Sequence, residues 1–161
     1  MKEFKVEFRR ISDEEFDKFS KWSMSLYSQN LIKSGRCNEE NALDCAKKDF
    51  NEILPRGKDT ANNYIYIIVN SENEEIGVIW YDISSGKEAF ICDFYILEKF
   101  RKQGYGEQSL FCLENEVKEK KVNRIGLNVF KYNSAAISLY NRLGYKINFE
   151  DSGSMYMVKD I

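Results

Sequence analysis

From Ile96 to Gly106 the chain reads Ile-Leu-Glu-Lys-Phe-Arg-Lys-Gln-Gly-Tyr-Gly, an apolar run that empties through a basic stretch into two closely spaced glycines. Arg101-x-x-Gly104-x-Gly106 is its core. Glycine reaches backbone angles that aim successive N–H groups into one concavity, and a helix starting there adds partial positive charge, so a pyrophosphate can sit at such a turn. Arg101 and Lys102 add full charges. The run lacks the Gly-Lys-Ser/Thr of a Walker A loop and the third glycine of a dinucleotide fingerprint. Taken alone, the spacing fits a plain strand-to-helix turn equally well.

Two further places carry side chains that could do chemistry. Asn133-Ser-Ala-Ala-Ile-Ser-Leu-Tyr140-Asn-Arg-Leu-Gly144-Tyr145 follows directly on an apolar run. Asn133 is a good helix N-cap whatever else it does, and Tyr140, four residues after Ala136 and three before Leu143, stands where a core aromatic would stand. Asp93 lies three residues before Ile96 and so projects from the opposite face of a strand, which makes it a candidate base acting through water or, equally, a structural carboxylate. Glu88 and Asp82 are weaker candidates for the same role.

These residues need elements to hold them. Residues 3–10 alternate as a strand does, and Ser12 with Glu15 forms a capping box ahead of Phe16, Phe19, Trp22 and Leu26 at helical spacing, for a helix reaching Lys33. A second helix spans Asn38 to Leu54, with Ala42, Cys45, Ala46, Asp49, Phe50 and Ile53 on one face, and Pro55-Arg56-Gly57 ends it. Three β-rich runs follow at 64–69, 76–82 and 89–97, separated by turns at 70–74 and at Ser84-Ser85-Gly86-Lys87. They predict an antiparallel meander with a well-buried third member.

Beyond the glycine turn, the stretch 104–121 puts Leu110, Leu113 and Val117 on one helical face, and 124–130 is the next strand. Asn133 or Ser134 caps a helix running to Leu143, with Gly144 as its left-handed stop, and 145–150 with 154–160 make a closing hairpin around Asp151-Ser152-Gly153. The order β-α-α-β-β-β-α-β-α-β-β describes one mixed α/β domain over 1–161, built on a twisted, mostly antiparallel sheet.

In this order and at about this distance apart, the segments around Arg101–Gly106 and Asn133–Tyr145 resemble the acetyl-CoA-binding motifs of the GNAT superfamily of N-acetyltransferases. The likeness is specific over 89–147; residues 1–60 match only in element order and correspond to the part that shapes the acceptor pocket. The resemblance implies that the acetyl group passes from acetyl-CoA to a primary amine by direct attack, with no acyl-enzyme and no metal. By the same resemblance, Phe94, Tyr95 and Ile96 offer backbone groups to the pantetheine and thioester. The amides from Lys102 through Gln103, Gly104, Tyr105 and Gly106 to Glu107 hold the pyrophosphate, beside Arg101, while Asn133 and Ala136 contact the cofactor arm. Tyr140 stands near the sulfur, where it helps the thiolate leave.

A free tyrosine has a pKa near ~10 and a thiol near ~8.5, so full proton transfer from Tyr140 is uphill by about 2 kcal/mol and the phenol is better described as a hydrogen-bond donor. Some relatives carry a glutamate base at the position held here by Asn128, and an amide cannot take a proton. An α-amine of pKa ~7.7–8.0 is roughly a tenth neutral at pH 7, whereas a lysine amine near ~10.4 is almost wholly charged. The acceptor is therefore expected to be a low-pKa amine or one deprotonated through ordered water; small-molecule amines, polyamines, antibiotics and peptide N-termini all remain open.

With 24 Lys+Arg against 26 Asp+Glu, the net charge of −2 gives no electrostatic reason to expect a nucleic-acid or anionic-membrane partner. The cluster Lys118, Lys120, Lys121 and Arg124 reads as a solvated helix end. There is no histidine, which removes His-dependent triads, and the four cysteines lack zinc-site pairing, so buried free thiols in a reducing cytoplasm are the expectation. The charged N-terminus is unlike a signal peptide, and no run reaches transmembrane length. Homodimerisation through a sheet edge is left open. A non-catalytic acyl-CoA-sensing or protein-interaction domain is the competing reading, on the strength of Asn128 and the aromatic-rich first helix.

Overall fold

Near-continuous apolar runs at 64–69, 76–82 and 89–97 build a sheet covered on both faces at its centre, and the computed structural model describes the chain for residues 6–83 and 85–161. Expectations for residues 3–5 of the first strand and for Ser84 in the third turn fall outside the described residues. The order is β1 (Val6–Arg10), α1 (Asp13–Lys33), α2 (Ala42–Ile53), β2 (Asn63–Asn70), β3 (Glu75–Asp82), β4 (Ala89–Ile96), α3 (Tyr105–Glu119), β5 (Arg124–Phe130), α4 (Ser134–Arg142), β6 (Lys146–Glu150) and β7 (Ser154–Asp160). The strands form one seven-stranded sheet ordered β1-β2-β3-β4-β5-β7-β6, with β4–β5 its single parallel pair. The expected hairpin forms, but β7 inserts between β5 and β6 instead of adding at the edge.

Helix ends follow local chemistry. Ser12 accepts from the Glu15 N–H while the Glu15 carboxylate accepts from the Ser12 N–H, the reciprocal cap the sequence predicts for α1. α3 stops at Glu119, short of the expected Lys121, because Lys121 turns left-handed. On one face of the sheet α3 and α4 bury Leu110, Leu113, Val117 and Tyr140 with Ile79, Tyr81, Ile125 and Met157. On the other, α1 and α2 bury Phe19, Phe50 and Leu54 with Ile65, Val78 and Trp80. Ile53, assigned to the apolar face of α2, is instead 45% exposed at the helix's last residue, and Leu54 just beyond it is buried.

The cysteines require a correction. All four are free but none is fully buried. Cys37 and Cys45 lie side by side where α1 passes into α2, and the hydrogen bond between their thiols raises that of Cys37. Cys92 is the most enclosed; burial and the Asp82 carboxylate, which accepts its S–H at 3.5 Å, push its thiol well above the ordinary range.

Candidate active site

The β4 strand is where the two halves of the site meet. Trp80 pairs with Asp93 and Tyr81 with Ile91, so Cys92 is an extra residue on β4, a β-bulge that bends the strand. Parallel pairing with β5 covers only Ala89–Ile91 against Ile125–Leu127 and then stops, while β5 stays paired with β7 along its whole length. From Cys92 onward β4 and β5 therefore diverge, opening a cleft within the sheet.

Backbone direction decides what faces that cleft. The Leu97 N–H bonds the Ile76 carbonyl on β3, and in an antiparallel ladder the next residue turns both its polar groups the other way. The N–H and C=O of Ile96 and Phe94 thus point into the β4–β5 opening. Tyr95 differs from expectation: its carbonyl faces β3, where a Cβ added to Gly77 would lie 2.2 Å from it, so its backbone belongs to the ladder and its ring projects toward α1. Arg101 folds back so that its Nε donates to the Ile96 carbonyl at 2.8 Å, and its guanidinium lies 4.8 Å from the Tyr95 ring centre.

Below the cleft, Leu97 leads through a short 3-10 turn (Glu98–Phe100) to the glycine segment and α3. Gly104 takes φ +87°, and Lys102, a non-glycine, takes φ +61°. Left-handed residues alternating with ordinary ones curl the peptide N–H groups inward at the start of a fifteen-residue helix, where its dipole is positive. Gly106 serves a different purpose, since an added Cβ would approach Leu139 of α4 to 3.3 Å; it lets the two helices pack closely. Gln103 reaches back to the Lys99 carbonyl at 3.1 Å, and Tyr105 packs edge-on to Phe100. Glu107 is the acidic residue of the first turn. One turn into α3 the buried Oε1 of Gln108 has no hydrogen-bond partner. Its amide nitrogen is the end that faces the turn, 3.8 Å from where a Cβ on Gly104 would stand, and adds a side-chain donor to the inward N–H groups. The residues present therefore fit a diphosphate.

Asn133 caps α4, accepting from the Ala136 N–H at 3.3 Å, and both sit at the end of β5 on the far rim of the cleft. Tyr140 is buried in the same cluster against which Phe94 and Ile96 pack, edge-on to Tyr145 at 5.4 Å. Burial pushes its phenol well above the ordinary tyrosine value. Transfer of its proton is thus steeper than the free residue implies.

On the α1 side, Asp93 shares a strand face with Tyr95. Ser23 of α1, itself buried, donates to Asp93 Oδ2 at 2.6 Å. Burial raises the Asp93 carboxyl to about 6, against the Ser23 hydrogen bond that lowers it. Glu88 accepts from the Tyr156 hydroxyl, and Asn128, paired with Tyr156 in the ladder, is exposed. Ser23 was not singled out from the sequence, although a serine four residues after Phe19, inside an apolar stripe, marks a polar group that needs a buried partner. Trp80 and Tyr81 are core residues, whereas Tyr95 lines a cavity under α1. Tyr81 donates to Glu116 of α3, a tie remote from the cleft.

A sheet split between its fourth and fifth strands, above a left-handed turn opening a helix, is the architecture of acyl-CoA N-acyltransferases. The sequence profile of the Acetyltransferase (GNAT) family matches residues 17–145, and the chain belongs to that family. It is 31% identical over 138 residues to the uncharacterized N-acetyltransferase YdgE of Bacillus subtilis, covering 84% of this chain and 88% of that protein. The crystal structure of YycN from the same organism superposes with a TM-score of 0.87 at 26% identity, over 91% of this chain and 95% of that one. The N-acetyltransferase PaiA of Thermoplasma acidophilum, solved with coenzyme A, shares the fold at a TM-score of 0.70 and 19% identity, over 97% and 99% of the two chains. The protein is an acetyl-CoA-dependent acyltransferase. No helix among the described residues is long and apolar enough to cross a membrane.

Proposed function

We propose that the protein transfers the acetyl group of acetyl-CoA to a small-molecule or peptide primary amine by direct attack, with donor and acceptor meeting in the β4–β5 cleft. The observation that carries this reading is the divergence of β4 from β5 beyond Ile91, which leaves the polar backbone groups of Phe94 and Ile96 facing an opening that ends at the turn of Lys102–Gly104. When bound, acetyl-CoA supplies an activated carbonyl and a thiol leaving group. The amides of 102–107 would hold its diphosphate, and the N–H groups of Phe94 and Ile96 would fix the arm and polarise the carbonyl. Asn133 and Ala136 would flank the arm from the other rim.

Asp93 is the base in this proposal. A carboxyl at about 6 is roughly nine-tenths ionised at pH 7, and a base near the working pH combines availability with proton affinity. Such a group lets the enzyme accept an amine that arrives charged, through a water if the nitrogen does not reach Oδ1. Tyr140 would donate a hydrogen bond to the departing sulfur and keep its proton, as its raised phenol requires.

The test is acetyl-CoA-dependent release of free thiol across an amine panel, together with calorimetric titration of CoA. The expected result is saturable CoA binding and amine-dependent thiol release. CoA binding with no thiol release from any amine would instead support the sensing domain. Absence of binding at millimolar CoA would remove the site altogether.

A further inference from the structure

The α1 side of the sheet holds a cavity of about 340 Å³ between the first half of α1 and strands β2 to β4. Its apolar walls are Phe19 and Trp22 from α1, Ile67 from β2, Val78 from β3, and Tyr95 and Leu97 from the end of β4. A space of this size and lining is within the range of small-ligand sites. The Tyr95 ring touches both Trp22, 5.0 Å away, and the Arg101 guanidinium, 4.8 Å away, so this wall is shared with the segment that opens the proposed cofactor turn.

Two features of the cavity specify its occupant. The first is charge. Glu15 and Glu75 line it, but Arg9 of β1 bridges both, at 3.0 Å to Glu15 and 2.6 Å to Glu75, and Lys18 is the fourth charged group there. Two carboxylates against two cations leave no surplus negative charge to attract a second or third ammonium. The Glu15 carboxyl, held near 2 chiefly by the Arg9 hydrogen bond, stays ionised within this bridge at any working pH. The second is distance. Asp93 lies just beyond the cavity's own lining, two residues before Tyr95 on the same strand face and about 7 Å along the strand. A nitrogen placed at Asp93 is therefore separated from an apolar body lodged against Tyr95 by an arm two or three carbons long.

We infer that the acceptor is a primary amine on a short arm from an aromatic or branched apolar body, the body filling the cavity walled by Trp22, Val78 and Tyr95 and the nitrogen reaching Asp93. This rests on the acetyltransferase reading above and narrows the acceptor classes that the sequence left open. Polyamines and other multiply charged amines are disfavoured because the cavity offers them apolar walls and a balanced mouth.

The experiment compares 2-phenylethylamine, isoamylamine, ethylamine and spermidine in thiol-release kinetics with the full chain. It is repeated with Ile67→Phe and Val78→Phe, which fill the cavity, and each variant is checked for its melting curve and for CoA binding by calorimetry. The expected result is a kcat/KM for 2-phenylethylamine roughly tenfold or more above that for spermidine and for ethylamine. Ile67→Phe should raise KM for 2-phenylethylamine roughly tenfold, well beyond its effect on ethylamine, with CoA affinity held. If Val78→Phe does not fold, the partly exposed Ile67 position carries the comparison alone.

Spermidine as the preferred acceptor, or a 2-phenylethylamine KM indifferent to Ile67→Phe, overturns the inference while the acetyltransferase reading stands. Should no amine be turned over, quenching of tryptophan fluorescence by 2-phenylethylamine in the CoA-bound protein decides. Saturation that Ile67→Phe abolishes supports the inference, and no saturation up to about 10 mM overturns it. Failure to bind CoA at all removes the acetyltransferase reading and the inference with it.

Discussion

The two sides of the split sheet are built from different materials. The turn proposed to hold the cofactor is made of backbone: left-handed Lys102 and Gly104, the first N–H groups of α3, and the polar groups of Phe94 and Ile96 that β5 does not bond. The α1 side is made of side chains: the Asp93 carboxyl, the Ser23 hydroxyl against it, and the rings of Trp22 and Tyr95 beside a cavity. Backbone N–H groups recognise what every diphosphate has in common, whereas side chains set the shape and charge that a particular acceptor must match. A substitution on one side should therefore disturb one substrate and spare the other, and three changes test this in descending order of effect.

Asp93→Asn is the sharpest. An amide keeps the hydrogen bond from Ser23 but cannot take a proton, so kcat should fall about 100-fold at pH 7. The rise of kcat with pH through about 6, expected of the native enzyme at saturating amine, should vanish, and CoA affinity should be unchanged. Stability should move the other way. Because burial raises the folded-state carboxyl from 3.8 to about 6, the folded chain keeps a proton that the unfolded chain gives up between those values. The native fold thus loses stability as pH rises through that window, by an amount on the order of 3 kcal/mol. Asp93→Asn should melt several degrees higher than the parent at pH 7.5 and no higher at pH 4. Equal melting temperatures at both pH values, with kcat preserved, would make Asp93 an ordinary surface carboxylate and erase the contrast.

Gly104→Val addresses the other side. At φ +87° a β-branched residue is strained, at a cost of roughly 1–2 kcal/mol. CoA affinity should fall about tenfold while KM for the amine and the pH profile stay put. Gly104→Ala should do less. A loss in amine KM as large as the loss in CoA affinity would mean that the two sides are not independent.

The same division explains what could be read in advance. The left-handed turn into α3 was legible because such a turn needs glycine at fixed steps from a strand and a helix, and Arg101–Gly106 prints that spacing directly. The helix caps at Ser12 and Asn133 were legible for a similar local reason. The left-handed Lys102 was not, since nothing in a lysine announces it, nor was the back-turned Arg101, which depends on where β4 ends. Asp93 could be named as a candidate, yet its elevated carboxyl comes from α1, seventy residues earlier, lying over it with Ser23. The cavity is still less local: its walls come from α1, β2, β3 and β4, and no single segment carries a pattern that foretells the space left among them. The insertion of β7 beside β5 is likewise a matter of sheet order, which alternation within a strand does not record.

Ser23→Ala is the smallest change and separates positioning from packing. The hydroxyl donates to Asp93 Oδ2 at 2.6 Å, and a hydrogen bond to a carboxylate favours its charged form, so removing it should drive the Asp93 carboxyl above its present value of about 6. The ionised base then becomes scarcer in mildly acidic solution. At pH 6, kcat should fall about threefold, and at pH 8, where Asp93 is ionised in either protein, it should be nearly unchanged. Ser23→Thr, which keeps a hydroxyl, should restore the native profile. If Ser23 merely fills space under α1, its loss would lower kcat by the same factor at both pH values, or alter only the melting temperature. A displaced acidic limb rescued by threonine would instead tie a residue of the first helix to proton transfer on β4.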